Sequence, residues 1–599
     1  MRKLNFAITM LVVATIFSGC KLGTMIKLAS DQDLTIDPNP LELKGDEVPF
    51  TMSAVLPPKM LPSGTMYTIN TIYQYGDQEV AVGSVDFQAS DFPNSSSSTS
   101  RKSEDFSFPY QDGMNPGTLY VEGVATIVSS GKSKTSPRME VAKGLVTTAS
   151  FAKPVVLTAL ADHGYNDKEE LEPTNIDFYF EQGRSVVNPR IATDGTSNRT
   201  KTQNMSAFIA EKNVTRTVTI TGTHSPEGTE TINSDLSNDR AAAIEKYYRA
   251  QMSRYDYKDI ADEIDFILKP VVQDWGAFKA ALADYDGISA SEKSEYTNII
   301  NGSGTFVDKE KQLQKLPTYK KVFNDIYPGL RSAKTEILTV VEKKPNATIA
   351  VLAKSIVSGS ASMDTLTMNE FLFAATLTPS LDEKEAIYMA ATKSGDWRAH
   401  NNLGAVKLEK AKMIGNSDAM GKMALIEDAL TQLEIAGNKQ SSPVVSTNLA
   451  AAAMLKGDKD AAADAINEGM SASPSNMVSA KLKGMQGSLQ LMSGDYDEAK
   501  ASFASAEASE EVTFDKGLVS LLTGDAGTAQ TTLNGVTDSE AYGADAYYLK
   551  AIASAKQNNA EAVGANLKQA VSKDASLKEK ALNDLSFGAF ANAVAEAVR

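Results

Sequence analysis

The chain has 599 residues, 59 basic against 75 acidic side chains for a formal charge of −16, three histidines, two tryptophans and a single cysteine. At roughly 150 residues per domain, this is enough chain for about three to four domains. One cysteine excludes an intramolecular disulfide and thiolate zinc sites. Three scattered histidines exclude a local His-rich metal site, and the acidic balance argues against nucleic acid, whose binding needs clustered Lys and Arg.

The first residues, MRKLNFAITMLVVATIFSGC, place Arg2 and Lys3 before an apolar run from Phe6 to Phe17. A run of about a dozen is the length of an export signal, whereas a membrane-spanning helix needs about 20. The run ends in Phe17-Ser18-Gly19-Cys20, which resembles the bacterial lipobox with Phe where Leu is commoner. That resemblance implies a signal over 1–19, removed by cleavage, and lipidation of Cys20 as the membrane anchor. The competing reading is an ordinary signal with a chance cysteine; the position of the chain's one cysteine at the cleavage point favours the lipoprotein. Lys21-Leu22-Gly23-Thr24 follows, without the acidic run usual in surface-exported Bacteroidetes lipoproteins and without the Asp that retains enteric lipoproteins at the inner membrane. Both absences point to the periplasmic face of the outer membrane.

Residues 20–165 read as an all-β sandwich. Leu34 and Ile36, then Leu41 and Leu43, alternate with polar residues, and Tyr67–Tyr75 and Leu119–Val128 are rich in β-branched and aromatic residues. Turn signals recur at Lys44-Gly45-Asp46, Tyr75-Gly76-Asp77 and Asn115-Pro116-Gly117. Asn94–Ser100 is a Ser-rich loop, and the acidic stretch Asn166–Pro173 reads as a linker.

In residues 166–345, Ile176–Phe180 and Val214–Thr221 alternate as half-buried strands, the second with Val214, Val218 and Ile220 on one face. Thr202–Lys212 between them has helical spacing. Then come Gly222-Thr223-His224-Ser225-Pro226-Glu227-Gly228 and Asn233-Ser234-Asp235-Leu236-Ser237-Asn238-Asp239-Arg240-Ala241. This stretch resembles the OmpA C-terminal, peptidoglycan-associating family, whose pattern runs G-H-T-D-x-x-G, then N-x-x-L-S-x-x-R-A; the spacing matches without a gap. The resemblance implies a βαβα(β) fold with Leu236–Met252 as second helix. It also implies a site for the zwitterionic diaminopimelate end of the peptidoglycan stem: an Asp for the ammonium, an Arg for the carboxylate, and backbone N–H groups near a helix start. Arg240 stands at that Arg position, and Asn233 and Leu236 at the structural Asn and Leu. The Asp position is Ser225, which removes the anionic partner; Glu227 is a carboxylate of the same loop. The alternative is a folded spacer in which Arg240 is a surface or capping residue. Residues 253–326 enlarge the module and are expected to be a helical insert. With Asp274-Trp275 and Ile326-Tyr327-Pro328-Gly329-Leu330-Arg331 they resemble a Bacteroidetes version of the domain, their aromatics read as core, and Lys334–Val341 reads as a closing strand.

Residues 346–599 carry helical periodicity. Asn448-Leu449-Ala450, Gly457, Ala462, Ile466, Gly469 and Pro474 fall at the spacing of a 34-residue repeat. Further units show Gly494-Asp495-Tyr496, Ala499 and Phe503; Gly524-Asp525, Ala529 and Leu533; and Asn558, Val563, Leu567 and Ala570. Trp397, Asn402-Leu403-Gly404, Ala429, Leu433 and Ala436 read as an upstream unit. These resemble tetratricopeptide repeats, a solenoid in which small residues let paired helices approach and a concave groove receives a peptide or protein. An unrelated Ala-rich bundle is the alternative.

Gly131-Lys132-Ser133 lacks the upstream glycine of a phosphate-binding loop and reads as a β-turn. Gly302-Ser303-Gly304 lacks the third glycine of a dinucleotide fingerprint, and His163, His224 and His400 have no motif partners. The expectation is therefore a multidomain α+β chain: β-sandwich, OmpA-like domain and helical solenoid. It is expected to be non-catalytic and to need no cofactor or metal. Its partners would be the outer membrane through lipid, peptidoglycan, and a protein bound by the repeats, in secretion or outer-membrane assembly. The alternative is a surface-exposed fimbrial or vesicle-associated accessory that does not bind cell wall.

Overall fold

The structure, a computed structural model, describes residues 21–260, 263–271 and 275–599. The signal 1–19, the lipidation residue Cys20 and Asp274 lie outside the described residues. The fold is mixed α+β, strands leading and helices following, in two compact units: 21–164 together with 349–599, and 165–348. Among the described residues no helix is long and apolar enough to cross a membrane.

In the first unit, β1 (Asp33–Asp37), β2 (Glu47–Leu56) and β5 (Ser100–Pro109) form one antiparallel sheet. The other holds β3 (Thr65–Tyr75), β4 (Gln78–Gln88), β6 (Gly117–Ile127), β7 (Ser133–Thr135) and β8 (Met139–Gly144). Side chains alternate across a strand, so one face of each sheet is apolar. Val48, Phe50, Met52, Ala54 and Leu56 of β2 meet Tyr67, Ile69, Tyr73, Leu119 and Val121 of β3 and β6 in one core. Leu22 and Met25 of the helical residues 21–28 join it. Gly131, at φ +67°, turns the chain from β6 to β7.

After the short helix Thr148–Phe151 the chain stays extended, without ladder pairing, and runs onto the helical half of the same unit. That half is built from helix pairs: Trp397–Met413 with Ala419–Lys439, Pro443–Lys456 with Lys459–Ser471, Asn476–Ser493 with Tyr496–Ala504, Glu510–Leu522 with Ala526–Leu533, and Gly543–Lys556 with Ala560–Lys573. The first helices of neighbouring pairs lie beside one another in a row. Within a pair the helices approach closely. A Cβ on Gly404 would lie 2.7 Å from Leu433 Cγ, and one on Gly517 would lie 2.5 Å from Leu533 Cγ. Four of the five pairs turn on a left-handed residue, Gly457, Gly494, Gly524 or Asn558. Sandwich and helices meet where Lys459 pairs with Asp46 at 2.5 Å and Gly45 abuts the Ser493 backbone.

The second unit is a four-stranded sheet of β9 (Leu171–Tyr179), β10 (Thr215–Gly222), β11 (Asp265–Pro270) and β12 (Ser332–Val340), in the order β11-β10-β12-β9. Only β10 and β11 are parallel. Helices Asn198–Ala210 and Glu230–Arg254 supply Met205, Ile209, Ile244 and Tyr248 to a core with Phe178, Val218 and Ile220.

Four expectations need correction. The stretch expected as a linker is part strand, since β9 begins at Leu171 and pairs with β12 from there. Val214 is exposed because a bulge between Thr215 and Thr217 breaks the alternation, leaving Thr215 buried with Val218 and Ile220. The insert expected to be helical opens with β11 at the sheet edge before its helices begin at Gly276. Its aromatics Trp275, Phe278, Tyr296, Phe306 and Tyr327 form a core of their own. Finally, residues 151–163 belong to no strand of the sandwich.

Candidate functional site

Three strand ends converge on one cleft in the second unit. The chain leaves β9 into 180–184 and β10 into 223–229, while Arg331 sits just ahead of β12. Antiparallel pairing sets these segments side by side: Thr223 N–H donates to Ser332 O at 2.8 Å and Phe180 N–H to Arg331 O at 2.8 Å. The helix Glu230–Arg254 starts immediately after the β10 loop, with the Thr229 hydroxyl accepting from Ile232 N–H as its cap. Gly222 permits the approach, since a Cβ there would stand 1.9 Å from the Ser237 carbonyl oxygen.

The cleft is a cavity of about 300 Å³ lined by Ser225, Glu227, Asn233 and Arg240, with Gln182, His224 and Leu236. The four residues singled out from the sequence as candidates are thus brought together. Arg240 is neither a surface nor a capping residue: it is 1 % exposed. Its Nε donates to Arg184 O at 3.0 Å, Nη1 to Thr223 O at 2.7 Å and Nη2 to Glu181 O at 3.4 Å. Its guanidinium lies over the Phe180 ring. Burial, and secondarily the charge of Arg331, lower its pKa to about 10 against the pull of Glu227, so it remains cationic at neutral pH.

Arg331 is the residue that motif reading did not pick as part of the site. Its Nε donates to Ser225 Oγ at 2.9 Å and to Glu227 Oε1 at 3.1 Å, and its Nη2 to the same Oε1 at 2.8 Å. Ser225 and Glu227 are thereby tied to one cation. Its signals in the sequence are its place directly before the closing strand and its position at the end of the Tyr327-Pro328-Gly329-Leu330-Arg331 stretch, neither of which assigns it to the cleft.

Two buried polar atoms in the cleft have no hydrogen-bond partner among the described residues: Glu227 Oε2, an acceptor, and Asn233 Nδ2, a donor. Orphaned buried groups of this kind cost about 1–3 kcal/mol each unless something supplies their partner. His224 Nδ1 donates to Ser225 O at 2.9 Å and its ring stands edge-on to Phe306 of the insert, which closes that wall. Among the described residues no group of three His, Cys, Asp or Glu is placed to hold a metal ion. Comparison of the sequence with protein-family models gives no match, and comparison with curated proteins gives none.

Proposed function

We propose that the chain is a non-catalytic scaffold of the bacterial cell envelope, with an OmpA-like module that holds peptidoglycan and tetratricopeptide-like repeats that engage a protein partner. Lipid on Cys20 would fix it to the outer membrane, facing the periplasm. The observation that carries the cell-wall reading is the pair of orphaned atoms in the cleft, Asn233 Nδ2 and Glu227 Oε2, beside a buried Arg240 whose N–H fork meets only neutral carbonyls. A zwitterionic amino-acid end suits these groups. Its carboxylate would face Arg240 and Asn233, and its ammonium would face the free oxygen of Glu227. Glu227 thus takes the part left vacant by Ser225, and Arg331 holds it in place. The cleft sets two guanidinium groups against one carboxylate: Arg331 pairs with Glu227, while Arg240 only feels its charge at longer range, which leaves room for the carboxylate of a zwitterion.

Retention on purified peptidoglycan tests this, comparing wild type with Glu227→Gln and Arg240→Ala. Glu227→Gln keeps the side-chain volume and removes a charge-assisted bond worth about 1.5–3 kcal/mol, so retention should fall roughly tenfold or more. Arg240→Ala should abolish it. Equal retention of all three proteins, or none by wild type, would refute cell-wall binding.

A further inference from the structure

The row of first helices in the repeats carries polar side chains, and one or more on each of the first four such helices bond the backbone of residues 151–163 of the same chain. Ala161 N–H donates to Asn402 Oδ1 at 2.7 Å while Asn402 Nδ2 donates to Ala161 O at 3.2 Å. One repeat on, Ala159 N–H donates to Asn448 Oδ1 at 2.8 Å and Asn448 Nδ2 to Ala159 O at 2.7 Å. In the next, Val155 N–H donates to Ser488 Oγ, which donates to Lys153 O, both at 3.0 Å. Lys412 Nζ donates to Val156 O at 2.9 Å. These bonds read the main chain of an extended segment, two-pronged at two residues.

Side chains add selectivity. Val155, Val156, Leu157, Ala159 and Ala161 are buried, the first completely. At the leading end Lys153 reaches past the rings of Phe514 and Tyr542 to Asp545 at 2.6 Å, and Phe151 packs on Tyr548 at 5.2 Å between centroids. The segment runs from the last repeats to the first, against the order of the helices.

We infer that this groove is a peptide-binding site whose ligand is the chain's own segment 151–163, and that it admits no other peptide unless that segment is displaced. The peptide class it reads is extended and apolar, led by a lysine. A tethered ligand competes at an effective concentration of order mM, so a partner that engages the repeats without displacing the segment does so outside the groove.

The test uses the full chain and a fluorescent synthetic peptide of residues 150–164, read by anisotropy. Wild type should show no saturable binding at about 100 µM peptide, because the tethered segment outcompetes it. The double substitution Val155→Asp, Leu157→Asp weakens the resident segment and should open the groove to the peptide; adding Asn448→Ala should then weaken peptide binding at least tenfold. Equal binding to wild type and the double variant would overturn the inference, as would refusal of the peptide by a double variant with the wild-type circular dichroism spectrum. If the double variant does not fold, hydrogen exchange on wild type decides. Amides of Val155, Ala159 and Ala161 should be protected like those of the helices, and exchange at the rate of exposed loops would overturn it.

Discussion

Asp515 sits fully buried on the helix Glu510–Leu522, with one carboxyl oxygen facing Lys153 N–H at 3.5 Å and the other without a partner among the described residues. Burial pushes its pKa well above the usual carboxylate range, against the smaller pulls of Lys153 and Ser488. Well below the unfolded pKa of about 3.9 the group is protonated in folded and unfolded chain alike, and its ionisation does not affect stability. As pH rises, the unfolded chain ionises first, so stability is lost until the raised folded pKa is passed. Asp515→Asn should therefore melt higher than wild type at pH 7, the difference shrinking towards pH 4; thermal melts across that range check it. In the cleft, Gly222→Ala should cost at least about 1–3 kcal/mol in denaturant melts, because its Cβ would collide with the Ser237 carbonyl. Arg240, Asn233, Ser225 and Glu227 were legible because a helix start following a strand fixes their spacing along the chain. Arg331 was not, since only the pairing of β10 with β12 brings it to residues more than a hundred positions away.

The helix pairs were readable at the level of elements because their turns need a left-handed backbone, which selects Gly or Asn. Gly524, at φ +87° with open space around it, isolates that requirement. Gly524→Ala should destabilise by about 1–2 kcal/mol through conformation alone, whereas Asn558→Gly should change stability by less than about 1 kcal/mol; paired denaturant curves distinguish the two. Elements without such punctuation escaped. The bulge at Thr215 shifts a strand face without leaving a sequence mark, and β11 is a short strand inside a region of helical pattern. Segment 151–163 eluded periodicity for a different reason: its backbone is satisfied by the side chains of Asn402, Asn448 and Ser488, so no ladder or helical repeat is needed.

For the whole molecule, the notable fact is that residues 165–348 interrupt the first unit in sequence yet begin and end together. Leu171 pairs with Val340, Val341 N–H donates to Glu170 O, and Lys343 Nζ donates to Lys168 O at 2.7 Å. A fragment of residues 165–348 should consequently fold alone, with a single cooperative unfolding transition; a gradual, non-cooperative melt would contradict this. The remaining unit carries the opposite property. Val155 and Ser488 are 333 positions apart, and Ala161 and Asn402 are 241 apart. During synthesis at about 5–20 residues per second, the apolar run Val155-Val156-Leu157 emerges well before any helix that will cover it. It must stay uncovered while the second unit is made and can fold, and its docking waits for the final repeats. Chain closure over such separations makes this the late and slow step of maturation, and leaves the nascent chain with a sticky segment for chaperones to shield until the last helix is complete.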